Sequence, residues 1–357
     1  MRDPFPIPPI PALSKAVQPW ADRFEFPTLP LHVHEVLGAA LFYTFIHLVL
    51  SPILSTWLFP SYYPRHSRAK KVNWDAHVVS LVQSTLINGL ALWVMWASKD
   101  ERSTLDWQQR VWAYDGASGF IQAMAAGYFV WDLITTLAFL DVFGLGLLAH
   151  ATSALAVYSF GFKPFLNYYS TVFILYELST PFLNFHWFFD KLNMTGSRAQ
   201  LYNGIALLFT FFSCRLIWGT YQSAVVYGDM WKAINNTPDA GYVAAAAAYS
   251  TNGTLADPNA NPMAFVKGTP VPVWLAGIYV VSNLILNSLN WFWFVKMISA
   301  VKKRFEPAKE KVEVVKASSG GAVTTGTEEK QVPRHRRQHS IEDVVPDSEE
   351  LRDGTIQ

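Results

Sequence analysis

Charged side chains are scarce in this sequence. They make up 15% of its residues, against roughly 25% in an average soluble protein. Hydrophobic residues, by contrast, reach 51%. The formal net charge is only +1, so the chain has no overall field that would attract nucleic acid. These shortages exclude a typical nucleic-acid-binding protein and favour an integral membrane protein.

Cysteine and the common catalytic signatures are also missing or nearly so. The single cysteine, Cys214, excludes an internal disulfide framework and a cysteine-rich metal site. The sequence has no GxSxG elbow, HExxH helix, phosphate-binding glycine loop or dinucleotide fingerprint in a workable context. The scattered histidines show no ligand spacing. We therefore predict no cofactor and no metal site.

The first 34 residues lack a continuous apolar helix. Eight prolines fall between residues 4 and 30, and proline interrupts a helical hydrophobic segment. We therefore expect no cleavable signal peptide and interpret residues 1–34 as a proline-rich lumenal N-terminus. Insertion into the membrane would be directed by the first span.

Long apolar stretches are what the sequence has in abundance. A helix that crosses about 30 Å of hydrocarbon needs roughly 20 mostly apolar residues. Stretches of this kind occur at 35–59, 74–97, 118–140, 142–162, 167–189, 200–222 and 273–297. The pattern predicts an all-α, polytopic membrane bundle of about seven transmembrane helices. The polar segment 301–357 is predicted to be a disordered cytosolic tail.

The basic residues predict the orientation of the bundle. Lys and Arg concentrate in the 60–73 loop and again after the last span, at Lys302, Lys303 and Arg304. By the positive-inside rule both regions face the cytosol. The N-terminus and the 223–272 loop then face the lumen, and the glycosylation patterns at Asn235 and Asn252 agree with that placement.

Ionisable residues inside a span are functional candidates by default, because burying them in lipid is costly. A tight hairpin at Asp141 would place Asp132 and His150 on adjacent helices, each roughly 13 Å from the cytosolic face. A carboxylate beside an imidazole can orient a general base. The same pair can equally serve as a buried polar clamp, and the spacing leaves both interpretations open.

A second group of polar residues lies on the last three spans. Glu177 and Arg215 are predicted to form a buried ion pair. Asn283, Asn287 and Asn290 recur at helical spacing on one face of the last span. Such a stripe favours interhelical hydrogen bonds over the lining of a polar cavity. Pro181, after Ser179 and Thr180, predicts a kink in the fifth span.

Three segments carry a resemblance to a known family. They are 71–81 (KVNWDAHVVSL), 127–132 (GYFVWD) and 178–188 (LSTPFLNFHWF). Over residues 65–300 the chain resembles the TLC-domain family, and most closely its small members of uncertain activity. The resemblance implies a six-helix core after an extra first helix at 35–64, residence in the endoplasmic reticulum, and a role in lipid metabolism, sensing or trafficking. A membrane lipid is the partner that it implies.

The resemblance also implies roles for individual residues. In ceramide synthases, adjacent histidines and nearby aspartates are implicated in acyl transfer from acyl-CoA to a sphingoid amine. Asp132 matches the family aspartate, and His150 matches the second histidine, but Ala149 stands where the first would be. His186 stands where relatives commonly carry arginine. Asn184 falls in the third segment and is a candidate for lining a lipid cavity.

Three functions remain open from the sequence. The favoured one is a lipid-homeostasis protein that binds a lipid within the helix bundle, because Ala149 departs from the acyltransferase pattern. The alternative is a sphingoid-base N-acyltransferase that uses acyl-CoA, with His150 as base and Asp132 orienting it. The third is a transporter or cargo adaptor, which the scarcity of charges in the spans does not favour.

Overall fold

The computed structural model describes residues 1–251 and 261–305, and these form helices without a strand. The predicted tail beyond residue 305 and the glycosylation pattern at Asn252 lie outside the described residues. Nine main helices are found in the described part of the chain. They are α1 (Pro11–Phe24), α2 (Leu29–Leu58), α3 (Arg68–Ala97), α4 (Gly116–Ala138), α5 (Leu140–Phe160), α6 (167–191, interrupted), α7 (Arg198–Asn235), α8 (Ala240–Thr251) and α9 (Val273–Phe305).

Six of the described helices are long and apolar enough to cross a membrane: α2, α3, α4, α5, α7 and α9. The chain is therefore a polytopic helical membrane protein. The seventh predicted span, α6, consists of Asn167–Phe173, a 3₁₀ turn at Ile174–Ser179 and Thr180–Lys191. Its three pieces add up to about 40 Å of rise, but each continuous piece alone is too short to cross a membrane.

The N-terminal region differs from its sequence prediction. Residues Pro11–Phe24 form a helix, which Pro11 can begin because its missing N–H would have no partner in the first turn. The Ser14 hydroxyl donates to the Pro30 carbonyl over 2.6 Å and fastens α1 to α2. The first span begins at Leu29 rather than at residue 35. The proline-rich region is therefore helical in part, and its helix is attached to the beginning of α2.

The 223–272 region is also more ordered than a loose loop. Helix α7 continues to Asn235, and the alanine run 244–248 lies within α8, as expected from the high helix propensity of alanine. Backbone bonds tie the region to the bundle: Tyr114 N–H donates to the Pro262 carbonyl over 2.7 Å, and Val271 N–H donates to that of Ala233 over 2.9 Å.

Helix α4 lies at the centre of the bundle, with every residue from Gly116 to Phe129 buried. It packs mainly against α2 and α5. A Cβ atom at Gly127 would collide with the backbone oxygen of Val36 on α2, so glycine permits this close approach. The turn from α4 to α5 lies where the sequence predicts it, and Gly144 kinks the start of α5 with a φ of 72°.

Candidate functional site

Two cavities adjoin inside the bundle. The larger, about 230 Å³, is called the polar cavity, and Asn73, His77, Asp132, Asn184 and Trp293 are among its lining residues. The smaller, about 80 Å³, is called the aromatic cavity, and its lining includes Phe129, Tyr158, Phe165, Phe173 and Tyr279. The polar cavity extends toward the end that carries the basic 60–73 loop. The aromatic cavity extends toward the opposite end, at residues 161–166.

Three residues line both cavities and are called the shared layer: His150, Glu177 and Arg215. Each comes from a different helix, and two of them lie on backbone that departs from α-helical geometry. Glu177 lies in the 3₁₀ turn of α6, and Arg215 lies in a π-helical segment of α7, Phe212–Trp218. Such irregular turns recur at functional sites, because they direct side chains that a regular helix would place elsewhere.

The guanidinium of Arg215 is held mainly by neutral oxygens. It donates to the Ser179 hydroxyl over 3.0 Å and to the Thr180 hydroxyl over 2.9 Å. A third bond of 3.0 Å reaches the Asn290 side-chain oxygen. The predicted ion pair with Glu177 is present, but its 3.7 Å separation is too long for a hydrogen bond. Among the described residues, none donates a hydrogen bond to the Glu177 carboxylate, which therefore stays available to the cavities.

Asp132 and His150 both line the polar cavity and both are half-buried. The imidazole of His150 lies between the rings of Phe129 and Trp293, at centroid distances of 6.0 and 5.9 Å. Within the described part of the chain, no hydrogen bond joins Asp132 to His150. The structure thus brings the two residues to one cavity without forming the oriented acid–imidazole pair. Their catalytic role remains a prediction.

A different histidine is held in a defined orientation in this cavity. The ring of His77 stacks on Trp187 at 4.0 Å, and its Nδ1 lies 2.7 Å from the side-chain oxygen of Asn184. The amide of Asn184 is itself fixed, because its nitrogen donates to the Thr180 carbonyl and to the Ser80 hydroxyl, each over 3.0 Å. His77 Nδ1 must then carry the proton that it donates to Asn184. In the neutral ring, Nε2 is left as an acceptor.

Sequence reasoning counted His77 among the ionisable residues of the spans but assigned it no partner and no role. The sequence did contain one indication of the His77–Asn184 pair, since each residue lies in one of the three family-like segments. The structure also places His186 away from the polar cavity, beside Gly204 of α7.

The asparagines of α9 form the interhelical bonds expected of them. Asn283 accepts from the Tyr227 hydroxyl over 2.6 Å, and Asn287 accepts from that of Tyr176 over 3.1 Å. Asn290 accepts from Arg215. Asn283 and Asn290 also line the aromatic cavity, whereas Asn287 lies outside the lining of both cavities.

Comparison with known proteins identifies the family of this membrane bundle. The family model of the TLC domain (TRAM, LAG1 and CLN8) matches residues 73–299, which include the shared layer, two of the family-like segments in full and the first from Asn73 onward. The chain therefore belongs to the TLC-domain family.

Two fungal relatives span most of the chain, and a human relative spans about half of it. An uncharacterised TLC domain-containing protein of Schizosaccharomyces pombe is 36% identical over 299 residues, covering 84% of this chain and 89% of the relative. Topoisomerase I damage affected protein 4 of Saccharomyces cerevisiae is 26% identical over 284 residues, covering 78% and 87%. Human TLC domain-containing protein 4 is 29% identical over 172 residues, covering 47% and 62%. None of these three names states a substrate.

Proposed function

We propose that this protein binds a single membrane lipid within its helix bundle and serves lipid homeostasis in the endoplasmic reticulum. The observation that carries the proposal is the meeting of the two cavities at the shared layer. An amphiphile needs a polar space and an apolar space in contact, and this arrangement supplies both. The polar head group would occupy the polar cavity, and the hydrocarbon beside it would enter the aromatic cavity.

The chemistry of the polar cavity favours one class of head group. The available side chains are mostly acceptors: the carboxylates of Asp132 and Glu177 and the Nε2 atom of His77. The donors of Arg215, in contrast, are already engaged by Ser179, Thr180 and Asn290. A site rich in acceptors suits a ligand that brings donors. We therefore infer an amine- or hydroxyl-bearing lipid, such as a sphingoid base, over a phosphatidic acid.

Lipid binding can be measured with the full-length protein in nanodiscs. A fluorescent sphingoid-base analogue is expected to bind at least ~10-fold more tightly than a phosphatidic acid analogue of equal chain length, the ratio that one charge-assisted hydrogen bond provides. Asp132→Asn, which removes one carboxylate from the cavity, should abolish most of that preference. Asp141→Asn provides a matched control, because Asp141 is exposed at the α4–α5 turn and lines neither cavity. Equal binding of both lipids, or an unchanged preference in Asp132→Asn, would contradict the proposal.

Acyl transfer is the second candidate function, and the orientation of His77 is the observation that favours it. An imidazole whose Nδ1 proton is held by Asn184 presents Nε2 as a base. The missing bond between Asp132 and His150 counts against the acid–imidazole pair that the family resemblance suggests. We expect purified protein supplied with a sphingoid base and acyl-CoA to form no amide by mass spectrometry. Amide formation that is lost in His77→Ala or His150→Ala would establish an acyltransferase instead.

A further inference from the structure

A cluster of possible metal ligands lies outside both cavities, where the N-terminal segment meets the start of α2. The ligand atoms of Asp3, His32 and Glu35 all lie within 4.8 Å of one another. His32 Nδ1 is 2.8 Å from Glu35 Oε2 and 3.6 Å from Asp3 Oδ2. His32 and Glu35 are three residues apart on one face of α2, and Asp3 reaches them through the fold of the N-terminal segment. The spacing of His32 and Glu35 was visible in the sequence, but the third member was not.

The cluster concentrates negative charge in a buried place. The side chains of His32 and Glu35 are 1% and 0% exposed, and that of Asp3 is 26% exposed. No described residue donates a hydrogen bond to Glu35 Oε1, although this atom is fully buried. An unpartnered carboxylate oxygen in such a place is costly unless a cation or proton reaches it.

The histidine of the cluster has the outer-shell partner that metal-bound histidines require. The ring nitrogen opposite the carboxylates, Nε2, lies 2.7 Å from the Tyr114 hydroxyl. The 2.8 Å contact between Nδ1 and Glu35 Oε2 is a hydrogen bond in which the carboxylate accepts. When an ion displaces this proton, the Tyr114 hydroxyl can accept from Nε2–H, which leaves Nδ1 with a lone pair directed between Asp3 and Glu35. The ring has room because position 119 is glycine, where a Cβ would come within 2.5 Å of His32 Nε2.

We propose that Asp3, His32 and Glu35 bind a divalent transition-metal ion, which joins the N-terminal segment to the first membrane helix. One imidazole nitrogen and two carboxylates form a ligand set that suits Zn²⁺. In a tetrahedral zinc site with bonds of about 2.1 Å, neighbouring ligand atoms are roughly 3.4 Å apart. The two His32–carboxylate distances, 2.8 and 3.6 Å, bracket that value.

The proposed ion has a structural consequence for the N-terminal segment. Phe5 of this segment packs on Phe120 and His34, with centroid distances of 5.6 and 5.5 Å. Met1 packs against the hydrophobic core beside α2 and α4. An ion that links Asp3 to His32 and Glu35 would hold these contacts in place. The segment would then exchange amide hydrogens more slowly with metal than without it.

The test uses full-length protein that has been stripped with a chelator and then titrated with Zn²⁺. Mass spectrometry of bound metal is expected to show about one zinc ion per chain. Asp3→Asn and Glu35→Gln should weaken binding by more than roughly 100-fold, and Tyr114→Phe by about 10- to 100-fold, the range for an outer-shell partner. Hydrogen exchange of residues 1–9 should slow on zinc addition in the original protein and stay unchanged in Asp3→Asn.

Glu101→Gln is the matched control. Glu101 is the other acid at the N-terminal segment, 3.5 Å from the Met1 amine, but it lies outside the cluster. This variant should bind zinc as the original protein does. The proposal is overturned if the original protein binds no zinc, or if Asp3→Asn binds it with the same affinity. Because Asp3 is partly exposed, Asp3→Asn also keeps the test decisive if Glu35→Gln fails to fold.

Discussion

Replacing Arg215 with methionine is expected to destabilise the folded bundle by about 3–5 kcal/mol, the usual cost of removing one partner of a buried ion pair. Both members are largely buried, with side-chain exposures of 7% for Arg215 and 10% for Glu177. The change leaves the Glu177 carboxylate without a cation and three oxygen acceptors without their donor. Size-exclusion chromatography and thermal unfolding in detergent measure the loss.

A double variant distinguishes the stability lost through the uncompensated charge from the stability lost with the hydrogen bonds. Adding Glu177→Gln to Arg215→Met removes the uncompensated carboxylate and should recover part of the stability. Arg215→Lys should be intermediate, because a single ammonium cannot reproduce the three directions of the guanidinium. Arg198→Met is the matched control, since Arg198 is exposed at the start of the same helix. If Arg215→Met unfolds at the same temperature as the original protein, the shared layer does not hold the helices together.

Replacing Asp75 with alanine is expected to cost about 3 kcal/mol or more of stability, although Asp75 lies in a family-like segment that could suggest a catalytic role. Its carboxylate is 0% exposed and accepts from Ser51 over 2.6 Å, from Tyr63 over 3.1 Å and from Lys71 over 2.8 Å. The acid therefore joins α2, the loop that follows it, and α3. Removing it leaves three donors with no acceptor.

Comparing Asp75→Ala with Asp75→Asn shows whether lost hydrogen bonds cause the loss of stability. The asparagine oxygen can still accept from Ser51 and Tyr63, so Asp75→Asn should unfold at a temperature between those of Asp75→Ala and the original protein. Asp100→Ala serves as the control, because Asp100 is an exposed acid close to the end of α3. A normal unfolding temperature for Asp75→Ala, combined with a loss of lipid binding, would instead place Asp75 in the functional site.

The arrangement of the spans could be predicted from the sequence because hydrocarbon imposes a length and a polarity on every crossing segment. Hydropathy located α4 and α5 to within two residues at each end and placed their turn correctly. Hydropathy misjudged the C-terminal end of α7, because an apolar stretch can end before its helix does. The helix continues to Asn235 without a break in hydrogen bonding. Hydropathy also missed α1, in which Pro11 occupies the first turn, where its missing N–H costs no hydrogen bond, and Pro19 inside the helix does not end it.

The candidate site was predictable only in part. The depth of a residue in the membrane follows from counting residues along its helix. Asp132 and His150 could therefore be predicted to lie at the same depth. Rotation about the helix axis does not follow from counting, and it decides that the two residues share a cavity without a hydrogen bond. The His77–Asn184 pair joins residues 107 positions apart. Asp3 likewise reaches His32 through tertiary packing that no local pattern encodes.

The π-helical segment of α7 has a mechanical consequence. A wide turn is a common place for a helix to bend, and this one separates two walls: Phe211 before it faces the polar cavity, while Val226 and Met230 beyond it face the aromatic one. A bend at this segment would therefore change the position of one wall relative to the other. Arg215 lies within the segment, and its bonds to Ser179, Thr180 and Asn290 attach the segment to α6 and α9.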